Sequence, residues 1–276
     1  MGSGSSGSAL LRDDRLSRRL AAASVLVPAT LLLTWVGGWP FFILIIACAG
    51  LLAREWARLC GAPSVPAGWF LAGGIMLLIT AAVVEHRHLA AGMAGFGLAI
   101  GVMILTAKKL GAKRAGWLAV GVAAILPAGL SLVWMRSLEP EGLALILWVM
   151  AVVWAADSGA YAVGRTVGGP RLAPRISPTK TWSGLAGGLV AAGLIGGVVA
   201  LLLGDGAFAL AAIAGMLVGA ASGLGDLFES HVKRTFKAKD SGGLIPGHGG
   251  VLDRLDSLLA AAPVTAALYL AGWRWL

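Results

Sequence analysis

The residues best suited to chemistry are six carboxylates in the second half of the chain. The 276-residue sequence has only 13 Asp and Glu residues in total. Six of them stand at the ends of apolar runs or in the polar segments between them, namely Asp157, Asp226, Glu229, Asp240, Asp253 and Asp256. A carboxylate at the end of an apolar helix is costly unless it pairs with a cation or a metal. These acids are therefore functional candidates.

Asp226, Asp253 and Asp256 form the strongest candidate for a metal site. The spacing of Asp253 and Asp256 places both on one face of a helix, and Asp226 closes the preceding apolar run on the same side. Oxygen ligands suit Mg²⁺, which proteins bind through one or two carboxylates together with substrate phosphates. Alternatively, Asp253 and Asp256 only complement the positive N-terminal end of the helix that follows. We favour the metal site.

Positive charge surrounds these acids, in the form of Lys233, Arg234, Lys237, Lys239 and Arg254. Arg binds phosphate bidentately and Lys provides a compact point charge, so this combination is typical of a polyphosphate site. The alternative is that a basic cytoplasmic loop contacts anionic lipid headgroups. We prefer that alternative for Lys237 alone.

Two glycine-rich polar segments add further candidates for substrate binding. In residues 246–250, PGHGG, glycines that allow close backbone approach flank a histidine, which suggests phosphate contacts from His248, Gly249 and Gly250. The earlier segment contributes Asp157, Arg165, Ser177, Lys180 and Thr181. Its composition is that of a phosphate-binding loop, but it lacks the GxxxxGK[ST] spacing of a P-loop.

The composition requires that these residues be positioned by membrane helices. The chain is 58% hydrophobic and 13% charged, and its mean hydropathy of +0.85 excludes a soluble domain. Apolar windows of about 17 to 25 residues predict transmembrane helices. An all-α fold with nine spans is expected, at residues 20–36, 40–53, 68–84, 89–107, 116–135, 142–163, 184–203, 208–227 and 258–275. The second is short, which indicates a tilted or re-entrant segment.

The distribution of basic residues predicts the orientation of these spans. Lys and Arg in short loops are retained in the cytoplasm. With nine spans, all 22 Lys and Arg residues fall on one side except Arg87, Arg136 and Arg274. The N-terminus is therefore expected in the cytoplasm and the C-terminus in the periplasm. The net charge of +9 thus reports orientation, and no nucleic-acid partner is expected.

The chain divides into three parts on this interpretation. Residues 1–19 form a basic cytoplasmic tail, of which residues 1–8 are typical of a tag remnant. Residues 20–135 form N-terminal membrane helices. Residues 136–276 form a catalytic membrane domain with long cytoplasmic loops at 164–183 and 228–257, where function is expected to concentrate.

Residues 230–256 resemble the signature of the phosphatidate cytidylyltransferase family. They read SHVKRTFKAKDSGGLIPGHGGVLDRLD, with S, KR, KD, PxHGG and DRxD at the family's intervals. Gly225 and Asp226, the DSGAY and GR of residues 157–165, and the SPTKT of residues 177–181 are similar too. The resemblance covers roughly residues 150–276. It departs at Thr179, where many relatives have Lys or Gly, and at Ser183, where many relatives have an acidic residue or Gln.

The resemblance implies an enzyme of the bacterial inner membrane that transfers a cytidylyl group from CTP to phosphatidic acid. The products would be CDP-diacylglycerol and pyrophosphate, and family members require a divalent metal, usually Mg²⁺. A second cation and a homodimer are left open. The implied catalytic residues are Asp226, Lys233, Arg234, Asp253, Arg254 and Asp256. The implied substrate-binding residues are Asp157, Arg165, Ser177, Lys180, Thr181, Lys239, Asp240, His248, Gly249 and Gly250.

Two other functions remain compatible with the sequence. The first is a cytidylyltransferase of the same architecture acting on an ether-lipid phosphate, because apolar surfaces that contact lipid chains leave no motif. The second is a secondary transporter of a phosphorylated solute, because acids within the membrane and glycine-rich breaks also mark transport sites. A transporter would have charges at mid-membrane and paired repeats, which this sequence does not clearly contain.

Overall fold

The computed structural model describes residues 24–61, 115–204, 207–244 and 249–276. The predicted tail 1–19, the predicted spans 68–84 and 89–107, and His248 lie outside these ranges. The elements within them are α1 (Ser24–Val36), α2 (Gly38–Leu59), α3 (Ala115–Arg136), α4 (Gly142–Thr166), β1 (Arg171–Ala173), β2 (Ser177–Thr181), α5 (Trp182–Leu203), α6 (Phe208–Thr235) and α7 (Leu252–Leu270).

Five of the helices are long and apolar enough to cross a membrane, namely α2, α3, α4, α5 and α6. This agrees with the predicted helical membrane protein. Helix α1 is shorter, and α7 has 19 residues, the first few of which carry charge. The described ranges contain helical counterparts for seven predicted spans, so the count of nine and the orientation of the termini remain predictions.

Helix α2 differs from the short segment expected at residues 40–53. It runs for 22 residues, from Gly38 to Leu59, because Arg54, Glu55 and Arg58 continue the helix beyond the apolar run. These residue types are good helix formers. The apolar run therefore underestimated the length of this helix, while its tilted or re-entrant placement stays a prediction.

Helices α6 and α7 also extend beyond their predicted apolar runs. Helix α6 continues to Thr235 and α7 begins at Leu252, so the expected loop at 228–257 is helical at both ends. Just after α6, Lys237 has φ 55°, and Ala238 N donates to Lys233 O at 2.8 Å. This left-handed residue satisfies a terminal carbonyl group. Glu229, Lys233, Asp253 and Asp256 are therefore held on helices, whereas Lys239 and Asp240 lie between them.

A two-stranded antiparallel hairpin joins α4 to α5, and the all-α prediction did not include it. Arg171 is paired with Thr181, and Ala173 with Ser177. Thr181 ends β2 and caps α5, because its hydroxyl accepts a hydrogen bond from Gly184 N at 3.0 Å. The hairpin is thus fixed to the start of α5.

Small residues bring α4, α5 and α6 into close contact. A Cβ atom added to Gly184 would lie 2.9 Å from Ala160 O on α4, and one added to Gly215 would lie 2.5 Å from Ala192 O on α5. Trp148 donates its indole N–H to Gly196 O at 2.8 Å. Small residues permit this approach inside a membrane, where helices gain little from burying apolar surface. Gly184 therefore contributes to the packing of α5 against α4.

The close approach at Gly215 predicts a destabilising substitution. Gly215→Ala should lower the free energy of unfolding by about 1 to 3 kcal/mol, because its methyl group collides with the backbone of α5. Gly223→Ala on the same helix is the matched control, since a Cβ atom there meets nothing within 4 Å. Thermal denaturation in detergent measures the difference. Equal stability of the two variants would contradict the packing described above.

Candidate active site

Carboxylates of α6 and α7 converge at one end of the helix pair. Asp226, Glu229 and Asp256 each offer an oxygen atom, and these atoms all lie within 4.8 Å of one another. The two helices meet closely here, because a Cβ atom on Gly225 would lie 2.6 Å from Asp256 O. We call these three residues the carboxylate cluster. Three oxygen donors in this arrangement suit a hard divalent cation.

Lys180 connects the hairpin to the carboxylate cluster. Its Nζ lies 2.7 Å from Asp226 Oδ2, and Ser230 Oγ donates to Asp226 Oδ1 at 3.4 Å. Asp157 on α4 interacts electrostatically with both Asp226 and Lys180. The hairpin therefore delivers a cation to acids that are distant in the sequence.

Lys233 links Glu229 to Asp253. Its Nζ lies 2.5 Å from Glu229 Oε2 and 2.8 Å from Asp253 Oδ1. Glu229 is 2% exposed, and its Oε1 has no hydrogen-bond partner among the described residues. A buried carboxylate with an unsatisfied oxygen is costly. A cation bound at this atom would therefore lower the free energy of the buried carboxylate.

Asp253 lies next to the carboxylate cluster, in side-chain contact with Glu229. Ser241 donates to Asp253 Oδ2 from its backbone N at 3.1 Å and from its hydroxyl at 2.9 Å, and Gly250 N donates to the same oxygen at 3.0 Å. The structure thus brings Asp226 and Asp256 together with Glu229, whereas Asp253 pairs with Lys233. Its predicted role as a metal ligand stays a prediction.

The other predicted site residues have varied surroundings. Arg165 donates to Tyr161 Oη at 3.1 Å, Arg234 donates to Ile176 O at 3.3 Å, and Thr181 serves as the cap described above. Asp256 accepts a hydrogen bond from Ser257 N at 2.7 Å. The remaining described candidates are Ser177 on β2, exposed Lys239, Asp240 and Arg254, and Gly249 and Gly250 before α7. Gly249 has φ +87°, as expected of a glycine that shapes a loop.

Sequence reasoning missed two functional candidates. Glu229 was recognised among the acids but received no ligand role. Glu55 on α2 was not considered, although it is 1% exposed and accepts a hydrogen bond from Leu252 N at 2.7 Å. An isolated acid near a helix end gave no local signal of a partner almost 200 residues away.

An apolar cavity of about 280 Å³ adjoins the carboxylate cluster. Glu229 and Asp256 contribute to its wall, and the other lining residues are Trp56, Ala124, Leu224, Gly225, Phe228, Leu252, Leu259 and Ala260. Trp56 and Phe228 are stacked, with ring centroids 6.1 Å apart. The site therefore combines carboxylates and cations with an apolar space.

The chain matches a known protein family over most of its length. The profile of the cytidylyltransferase family matches residues 17–271. The chain belongs to this family. The predicted nucleotidyltransferase is confirmed, and the similarity of this cytidylyltransferase to its relatives extends well beyond residues 150–276.

The curated relatives include several bacterial proteins named phosphatidate cytidylyltransferase. The protein of Brucella suis biovar 1 is 42% identical over 267 residues, which covers 94% of each chain. That of Pseudomonas aeruginosa is 40% identical over 270 residues, covering 94% of this chain and 98% of its own. That of Haemophilus influenzae is 48% identical over 134 residues, or 47% of this chain and 46% of its own.

The bridging position of Lys233 predicts a severe effect of its removal. Lys233→Met should lower the free energy of unfolding by about 3 kcal/mol or more, because Glu229 and Asp253 lose their shared cation. The control is Lys237→Met, since Lys237 is exposed just after the same helix. Thermal denaturation of both variants in detergent tests this. A Lys233→Met variant as stable as the control would show that the bridge contributes little.

Proposed function

We propose that this cytidylyltransferase joins CTP to phosphatidic acid and releases pyrophosphate. An oxygen of the lipid phosphate forms a bond to the α-phosphorus of CTP, and the bond from that phosphorus to the oxygen bridging to the β-phosphate breaks. CDP-diacylglycerol and pyrophosphate result. The observation that carries the proposal is the carboxylate cluster, which lies beside cations and an apolar cavity in a family member. The names of the relatives support the same substrates.

Asp226, Glu229 and Asp256 would hold Mg²⁺ when it is bound with the nucleotide. The fit rests on their three oxygen donors within 4.8 Å and on the orphaned Glu229 Oε1. Mg²⁺ would supply neutralisation of triphosphate charge. Asp253 remains a further predicted ligand, and a second cation stays open.

The cations of the site have two tasks in this proposal. Lys180 and Lys233 hold the carboxylates in place through their ion pairs. The exposed Arg165, Arg234, Lys239 and Arg254 would bind the triphosphate and the departing pyrophosphate from the surrounding surface. Because the attacking lipid phosphate is already anionic, no strong general base is required. Positioning and charge stabilisation then account for most of the catalysis.

The apolar cavity is suited to the lipid portion of phosphatidic acid. Its wall is mainly aliphatic and aromatic, while Glu229 and Asp256 lie at its polar part. A lipid whose chain enters this space would bring its phosphate toward the carboxylate cluster. With the predicted orientation, the reaction takes place at the cytoplasmic face of the inner membrane, where CTP is available.

A direct assay tests the proposed reaction. Purified protein in detergent, with phosphatidic acid, labelled CTP and Mg²⁺, should form labelled CDP-lipid and release pyrophosphate. Removal of divalent ions with EDTA should abolish both products, and added Mg²⁺ should restore them. A parallel reaction with an ether-lipid phosphate distinguishes the alternative substrate. Absence of CDP-lipid with either lipid would contradict the proposal.

Substitutions of the acids test their assignment to the site. Asp226→Asn and Asp256→Asn should each reduce kcat at least about a hundredfold, because a ligand charge is lost where the triphosphate must be neutralised. Asp253→Asn should also abolish turnover. The control is Glu139→Gln, whose side chain is 81% exposed. Near-normal turnover by a folded acid variant would remove that residue from the site.

A further inference from the structure

Glu55 is a buried carboxylate that α2 contributes to the surroundings of the candidate site. It lies in the last turns of α2 and is 1% exposed. Its Oε2 accepts a hydrogen bond from Leu252 N at 2.7 Å and lies 3.4 Å from Ser241 Oγ. Burial of a carboxylate is costly unless hydrogen bonds offset it. The burial of this carboxylate therefore indicates a role for Glu55 other than ending α2.

The partners of Glu55 are the residues that hold Asp253. Leu252 is the first residue of α7 and directly precedes Asp253. Ser241, which contacts Glu55, donates to Asp253 Oδ2 at 2.9 Å through the same hydroxyl. Glu55 thus contacts both the helix start that carries Asp253 and the loop residue that binds its carboxylate.

Two glycines, Gly242 and Gly250, allow the backbone to lie directly against Glu55. A Cβ atom on Gly242 would collide with Glu55 Oε1, and one on Gly250 would lie 2.7 Å from Glu55 Oε2. Gly250 N also donates to Asp253 Oδ2 at 3.0 Å. The segments on both sides of residues 245–248 therefore pack against the same buried carboxylate.

We infer that Glu55 is a positioning residue for the proposed transfer, acting through Leu252 and Ser241 to fix the orientation of Asp253. This inference rests on the proposed function for its effect on turnover. It gives the N-terminal half of the chain a direct part in the site. Asp253 must keep its place beside Lys233 for the ion pair to persist, and a misplaced group in an active site lowers the rate strongly.

The test compares Glu55→Ala, Glu55→Gln and Leu52→Ala. Leu52 lies nearly one turn earlier on α2 and is 4% exposed, so its truncation loosens the core without removing the hydrogen bond to Leu252. Glu55→Ala should lower kcat about tenfold or more, whereas Leu52→Ala should leave kcat within about twofold when both are assayed well below their melting temperatures. Glu55→Gln should recover part of the loss, because its amide oxygen can accept from Leu252 N.

Amide hydrogen exchange provides a second measurement that does not depend on activity. In Glu55→Ala, exchange in residues 249–257 should become faster relative to α4, and in Leu52→Ala this ratio should stay as in the unaltered protein. If the unaltered protein shows no transferase activity, the exchange result still decides whether Glu55 holds this segment. Unchanged exchange, or a kcat equal to that of Leu52→Ala, would overturn the inference. If Glu55→Ala does not fold, kcat and amide exchange are measured on Glu55→Gln instead.

Discussion

The compensation of negative charge at the end of an apolar helix pair is the constraint on which the site depends. Asp226, Glu229 and Asp256 lie close enough for mutual repulsion, and Glu229 is almost fully buried. Such a group of acids persists only where cations offset it. Lys180 and Lys233 do so, one from the hairpin and one from α6 itself. The hairpin is therefore an electrostatic part of the site as well as a connection between helices.

Close packing of the helices allows these charged side chains to approach one another. Gly225 allows α6 to approach the backbone of α7 at Asp256, and the glycines of α5 bring α4 and the hairpin beside α6. In a membrane, contacts of this kind supply much of the helix association. Larger side chains at these glycines would separate the helices and so the carboxylates. The glycines that permit close helix packing are therefore also required for the carboxylates to converge.

The sequence predicted the components of this site better than their pairing. Apolar runs predicted helices, and the acids stood out because charge is rare near a membrane. Pairing depends on tertiary contacts, however, and the hydrogen bond from Leu252 to Glu55 spans 197 positions. The hydrophobic periodicity of a short segment does not indicate contacts between residues so far apart in the sequence. The hairpin was missed for a similar reason, since two strands of three and five residues are too short to show alternation.

The contrast between Asp253 and Asp256 shows that spacing along one helix does not determine which residues pair in space. Three positions apart on one helix, they were expected to act together. Asp256 instead faces Asp226 and Glu229, while Asp253 accepts hydrogen bonds from Ser241 and Gly250 and pairs with Lys233. Because Lys233 also contacts Glu229, a displacement of Asp253 would alter the charge balance of the carboxylate cluster. The two acids of one motif are therefore coupled through a lysine on another helix.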